Sequence, residues 1–178
     1  MYSLVTKGGP LMWPILFCSV AAAAIALRKA LQFRSAYRCV TMDLKQAVAE
    51  RPPFLAPVIE AVARGAGEED VAGVGTRQVR ALERGLGSLS LISAISPLLG
   101  LTGTVIGMIQ AFQVIAGADS AVDPAMLASG IWEALITTAA GLLVAIPVHV
   151  AHHYLDARMG EIIFNFQEMA AKLLRRRA

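Results

Sequence analysis

The chain has 178 residues, 56% of them hydrophobic and 16% charged, with a mean hydropathy of +0.60. Its 16 basic and 13 acidic residues avoid three stretches, 8–27, 85–118 and 134–155, which are 20, 34 and 22 residues long, whereas roughly 20 apolar residues suffice to cross a bilayer. This excludes a soluble globular enzyme, and it excludes a disordered chain, which needs low hydrophobicity.

In chain order the pattern predicts an all-α integral membrane protein with three transmembrane helices extended into the cytoplasm. The first span covers 11–27, with Pro14 near its outer end, where a helix tolerates proline. Arg28 and Lys29 follow this apolar run and only Lys7 precedes it. That is the reverse of a secretory signal, so the segment reads as a retained helix. A cytoplasmic helical region over 28–94 follows. Leu31, Ala36, Val40, Leu44 and Val48 extend the first helix as an amphipathic face, and Arg51-Pro52-Pro53 stops it. Residues 54–64 predict a short helix with Leu55, Val58, Ile59 and Val62 on one side. Gly65, Gly67, Gly73 and Gly75 predict a flexible junction, and Gln78 to Arg84 lead, still helical, into the second span.

The second uncharged run is too long for one crossing. Its 34 residues reach roughly 51 Å as a helix, against a hydrocarbon core of about 30 Å. The early part is polar (Gly85, Gly87, Ser88, Ser90, Ser93), so the crossing is set at 95–116. A periplasmic loop over 117–130, a third span over 131–152 and a cytoplasmic tail helix over 153–178 complete a single membrane domain. Ile162, Ile163, Phe166, Met169 and Leu173 form the apolar face of the tail. Ten Lys and Arg fall in 28–84 and five in 156–178, against one in 1–7 and none in 119–133. Basic residues collect on the cytoplasmic side, which predicts an outer N-terminus and an inner C-terminus. The net charge of +3 reflects this bias, and no groove-reading motif points to nucleic acid. Cys18 in the first span and Cys39 beyond it predict no disulfide.

In the second span Ser96 and Gly100 are four apart, as are Gly103, Gly107 and Ala111. Such steps let helix backbones approach closely in lipid. In the third span Thr138, Gly141 and Ala145 share one narrow face, where a hydroxyl meets only another helix or a water-filled cavity. Thr104 bonds its own helix carbonyl on the plain reading. Glu133 is either a wet carboxylate at a helix N-terminus or a group at the mouth of an ion path. Pro97 lies inside the second span, and Pro147 near the inner end of the third is a candidate kink. His149, His152 and His153 share one side of a helix but lack a fuller ligand set, so they read as interfacial histidines and no metal is expected. No phosphate loop, nucleophile–base pair or cofactor box is present, so neither enzyme chemistry nor a cofactor is expected.

Three motifs together carry a family resemblance. They are Gly9-Pro10-Leu11-Met12-Trp13-Pro14-Ile15, Ile95-Ser96-Pro97-Leu98-Leu99-Gly100-Leu101-Thr102-Gly103-Thr104-Val105-Ile106-Gly107-Met108, and Gly130-Ile131-Trp132-Glu133-Ala134-Leu135-Ile136-Thr137-Thr138-Ala139-Ala140-Gly141-Leu142 with Ala145-Ile146-Pro147. With them the chain resembles the ExbB/TolQ/MotA proton-channel family, and within it ExbB most. The resemblance implies a bacterial inner-membrane motor subunit. A homopentamer of it would surround two transmembrane helices of an ExbD-like single-span partner that supplies an Asp. Proton flow would then energise a TonB-like protein for outer-membrane transport. A TolQ-like role in envelope maintenance is the neighbouring reading. By position Thr104 and Thr138 match the family's pore threonines and Glu133 its third-helix glutamate. Thr102 and Thr137 add hydroxyls where relatives often carry apolar residues or alanine. A short cytoplasmic part with three spans argues against a flagellar stator.

One part of this follows from the residues alone. A threonine hydroxyl relays a hydrogen bond but does not titrate near neutral pH, and no Asp, Glu or Lys lies in the middle of any span. If the chain carries protons as coupling ion, a partner helix brings the carboxylate. The competing readings are a passive scaffold that oligomerises through the faces of Gly100, Gly103, Gly107 and Gly141, and half of a transporter permease, for which no broken helix is evident. Those glycine faces are expected to find no partner surface inside one short chain, and therefore to build a ring.

Overall fold

A computed structural model of the chain describes residues 9–117 and 124–177. All regular structure among them is helical. The helices are α1 (Met12–Thr41), α2 (Leu44–Glu50), α3 (Ala56–Ala63), α4 (Glu68–Glu83), α5 (Leu86–Ala116) and α6 (Pro124–Arg177). Three helical stretches, within Met12–Thr41, Glu68–Ala116 and Ala128–Arg176, are long and apolar enough to cross a membrane. The all-α membrane fold expected from composition is the fold observed. Lys7, Asp119, Asp123 and the rest of 118–123 in the connection between the second and third spans lie outside the described residues, while 124–130, expected as loop, open α6.

The local stops follow from particular residues. The amphipathic extension of the first helix does not run unbroken to Arg51, as the pattern predicts, but ends at Thr41. Asp43 then takes an extended conformation and its carboxylate accepts the Lys45 N–H at 3.3 Å, starting α2 afresh. Arg51 closes α2 in the left-handed region (φ 46°) ahead of Pro52. After α3, Gly65 adopts φ 89°. The Gly65 N–H reaches Val62 O at 3.2 Å and the Ala66 N–H reaches Ala61 O at 3.1 Å, a pair of bonds that satisfies the last carbonyls of a helix. Gly67 caps α4, whose first turn carries Glu68, Glu69 and Asp70, the sign favoured by the helix dipole. Gly85 (φ 98°) separates α4 from α5, so the run from Gln78 into the second span is interrupted rather than continuous.

The chain divides into two units, one from the described residues of Met1–Ala26 and Ser88–Ala151, the other from Leu27–Gly87 and His152–Ala178. In the second unit α6 buries Leu155, Met159, Ile162, Phe166, Met169 and Leu173, a seven-residue repeat of the kind that interlocks helices side by side. From α1 come Lys29, Phe33, Ala36 and Val40 at the same alternation of four and three, and from α3 come Val58, Ile59, Ala61 and Val62. Each fully buried large apolar side chain contributes about 1.5–3 kcal/mol. Two expectations change here. Leu31, assigned to the apolar face of α1, is exposed, and Phe33 is buried in its place. Gly73 and Gly75 are not a flexible junction but helical residues of α4. Gly75 is buried because the Phe166 ring lies 3.0 Å from where its Cβ would stand, and Phe166 also meets Phe54 at 5.2 Å between ring centroids.

Candidate functional site

In the first unit α5 and α6 meet along two rows of small residues. The α5 row is Ser96, Gly100, Gly103, Gly107 and Ala111; the α6 row is Ala134, Thr137, Gly141 and Ala145. All nine are buried. Lipid tails are as apolar as leucine, so membrane helices associate through close packing rather than hydrophobic burial. The approach here is close. A Cβ on Gly100 would stand 2.9 Å from Thr138 Cα, one on Gly103 2.5 Å from Thr137 Cγ2, and one on Gly107 2.7 Å from Ala134 Cβ. One on Gly141 would stand 2.5 Å from Ser96 O. The four glycines therefore pack against their own chain. The reasoning that they lack an internal partner, and so must form a ring, is overturned: sequence spacing locates a small face but does not say which helix covers it. The surfaces left bare are large and apolar instead, including Leu98, Leu101, Val105 and Phe112 on α5 and Leu135, Leu142, Leu143 and Ile146 on α6.

The hydroxyls divide between main-chain partners. Thr138 Oγ1 donates across the seam to Gly100 O at 2.8 Å. Thr137, 2% exposed, donates to Glu133 O in its own helix at 3.0 Å. Thr104, half-buried, donates to Leu101 O at 2.7 Å, and Thr102, exposed, to Leu98 O at 2.8 Å. Ser96, fully buried, donates to Ile92 O at 2.8 Å. Pro97 and Pro147 both lie inside helices that continue through them. His149 and His153 are exposed and His152 half-buried. Among the described residues no three His, Cys, Asp or Glu side chains converge on a metal-sized site.

Glu133 is half-buried. Its carboxylate lies against Gly9, just before α1, in close contact between Oε1 and the side of Gly9 where a Cβ would project. A cleft of about 40 Å³ opens beside it, lined by Gly9, Pro10, Leu11, Gly103, Gly107, Gln110, Glu133 and Thr137, among others. The structure thus gathers Glu133, Thr137, Gly103 and Gly107 at one place and sets Thr138 with Gly100 at the next step of the seam. Neither Thr102 nor Thr104 lines the cleft. Sequence reasoning missed Gln110, although Gln110 and Gln113 are the only amide side chains in 95–116. It also missed Lys29, counted only among the basic residues after the first apolar run but 5% exposed. Lys29 Nζ donates to Leu82 O at 2.8 Å and to Gln32 Oε1 at 2.9 Å.

The seam and its hydroxyls fall within residues 49–168, the part of the chain that matches the model of the MotA/TolQ/ExbB proton channel family. The chain belongs to that family. Among curated relatives, "Biopolymer transport protein exbB1" of Vibrio cholerae is 48% identical over 80 residues, 44% of this chain and 35% of the relative. "Tol-Pal system protein TolQ" of Haemophilus influenzae is 39% identical over 105 residues, 57% of this chain and 46% of the relative. "Biopolymer transport protein ExbB" of Salmonella typhimurium is 40% identical over 107 residues, 60% of this chain and 42% of the relative. The matches thus span about a third to a half of these relatives' lengths. The chain is thus a membrane protein of the MotA/TolQ/ExbB family, and its matched relatives carry the names ExbB and TolQ.

Proposed function

We propose that this subunit works in a bacterial inner-membrane motor of the ExbB kind. Copies of the chain, five by the family resemblance, surround the transmembrane helices of a single-span, ExbD-like dimer. That partner supplies an Asp, and protons are the coupling ion that energises a TonB-like protein. The observation that carries this reading is chemical. The spans hold hydroxyls on a tightly packed seam and no Asp, Glu or Lys at mid-depth, so a proton path through this chain needs a carboxylate from elsewhere. Thr138 and Thr104 are the hydroxyls proposed to meet it, with Thr137 and Thr102 beside them and Glu133 at one end. A proton crossing the membrane carries about 2.3 kcal/mol per 100 mV, so a few protons suffice for a large conformational change. The outward faces of α5 and α6, rather than the glycine rows, make the ring contacts in this reading, and lipid covers the remainder.

A TolQ-like role is the second reading, supported by the match to a Tol-Pal system protein over 57% of this chain. Purification of the chain in mild detergent, with the product of any neighbouring gene for a single-span protein, tests both. Native mass spectrometry is expected to give a ring bound to two partner chains, and reconstituted vesicles are expected to pass protons. An oligomer that binds no partner and passes no protons leaves the scaffold reading in front, and a monomer that does neither overturns both.

A further inference from the structure

We propose that the Gly9-Pro10-Leu11 turn is a main-chain cover over a hydrated cleft, and that Gly9 and Gln110 set how Glu133 exchanges protons with the water in it. The inference rests on the proton-channel reading and assigns two residues to the same site. A cleft of about 40 Å³ holds at least one water, given polar partners. Two polar side chains besides Thr137 line it, Glu133 and Gln110. An ionised carboxylate accepts up to about four hydrogen bonds, and among the described residues the one side-chain donor to Glu133, Thr137, reaches its main-chain oxygen rather than its carboxylate. Water is the donor this proposal gives it. The exchange is balanced: a hydronium ion in the cleft passes its proton to a Glu133 oxygen, leaving water and a neutral carboxylic acid, and release is the reverse.

Gly9 makes the cover possible. It adopts φ 68°, a conformation that side chains disfavour, and Glu133 occupies the place of its Cβ. Pro10 has no N–H to offer the carboxylate, so the turn shields the charge from bulk solvent without pairing with it. The turn is held by the Met12 N–H on Gly9 O at 3.2 Å and the Trp13 N–H on Pro10 O at 3.4 Å. Both are long bonds at a helix start, where local opening is easiest. Below them Met12 and Ile15 are buried and anchor α1. The cover can therefore lift while the helix stays in place.

The test uses the full chain with its co-purified partner in vesicles. Proton flux is followed with a pH-sensitive dye, and modification of Glu133 by a water-soluble carbodiimide is followed by mass spectrometry. Gly9→Ala pushes a Cβ into the carboxylate, so Glu133 modification is expected to rise several-fold while flux falls several-fold. Gln110→Leu keeps the volume and removes a polar wall; it is expected to lower flux to a similar degree while ring assembly is unchanged. Unaltered Glu133 modification in Gly9→Ala overturns the cover, and normal flux in Gln110→Leu overturns the hydrated cleft. If Gly9→Ala fails to assemble, Gln110→Leu decides alone, since Gln110 is exposed. Wild-type vesicles that pass no protons remove the channel reading instead, and the carbodiimide comparison then still decides the cover.

Discussion

Thr138 Oγ1 donates a 2.8 Å hydrogen bond to the main-chain oxygen of Gly100, joining α5 to α6 where Gly100 leaves the backbone bare. A hydroxyl has one proton to donate and two lone pairs. In this arrangement the donor is engaged, and among the described residues no donor reaches the acceptor side. A carboxylate that takes a hydrogen bond from Thr138 must displace Gly100 O, so the seam and the proposed proton path compete for one proton.

Thr138→Val keeps the shape and removes the hydroxyl. We expect a loss of about 0.5–1.5 kcal/mol of stability, the net worth of one hydrogen bond, together with loss of proton-driven work. Thr138→Ser retains a donor and is expected to work. Thr104→Val touches only a bond within α5 and is expected to be milder, because Thr102 lies close by. Flux in vesicles with assembly checked in parallel makes the measurement; normal flux in the Thr104→Val, Thr138→Val double variant ends the assignment of these threonines to the path.

Glycine substitutions separate the seam from the rest. Gly103→Ala and Gly107→Ala drive a methyl into Thr137 and Ala134, and overpacking of this kind costs about 1–3 kcal/mol. Gly87→Ala and Gly160→Ala meet nothing within 4 Å and are expected to gain up to about 1 kcal/mol from helix propensity. Thermal loss of helical circular dichroism in detergent reads both groups. Equal melting temperatures across the four variants contradict the close α5–α6 contact.

Lys29 carries a buried positive charge onto the carbonyl of Leu82, in the last turn of α4. Charged hydrogen bonds are worth about 1.5–3 kcal/mol, and a cation at a helix C-terminus suits its dipole. Lys29→Ala is expected to destabilise the unit formed by Leu27–Gly87 and His152–Ala178 by about that amount. The neighbouring Arg28→Ala, at an exposed position, is expected to be close to neutral. Limited proteolysis within 42–67 is the readout, and identical cleavage of the two variants counts against the role given to Lys29.

Orientation is tested with single cysteines in a background lacking Cys18 and Cys39. Cysteine at Ala121, outside the described residues, is expected to react with an impermeant thiol reagent added to intact cells. Cysteine at Ala63, which is exposed at the end of α3, is expected to react only after the membrane is opened. Reaction of both from the same side removes the three-span topology.

Much of this molecule is readable from its residues one at a time. A charge at mid-membrane costs about 2.5–3.5 kcal/mol on insertion scales, so the three uncharged runs announce membrane helices whatever the rest of the chain does. Local chemistry sets the face of α3, with Leu55, Val58, Ile59 and Val62 buried, and the stop at Pro52, because both depend on neighbours within a turn. The seam, the burial of Lys29, the place of Gly75 under Phe166 and the contact of Glu133 with Gly9 depend on pairs far apart in the chain. Periodicity names the residues that share a face, but not the surface that covers it. Gly73 and Gly75 read as a loop by propensity and fold as helix because a ring from α6 requires the space at Gly75. The glycine rows read as an outer contact surface, and become an internal one because α5 and α6 approach closely enough for Thr138 to reach Gly100.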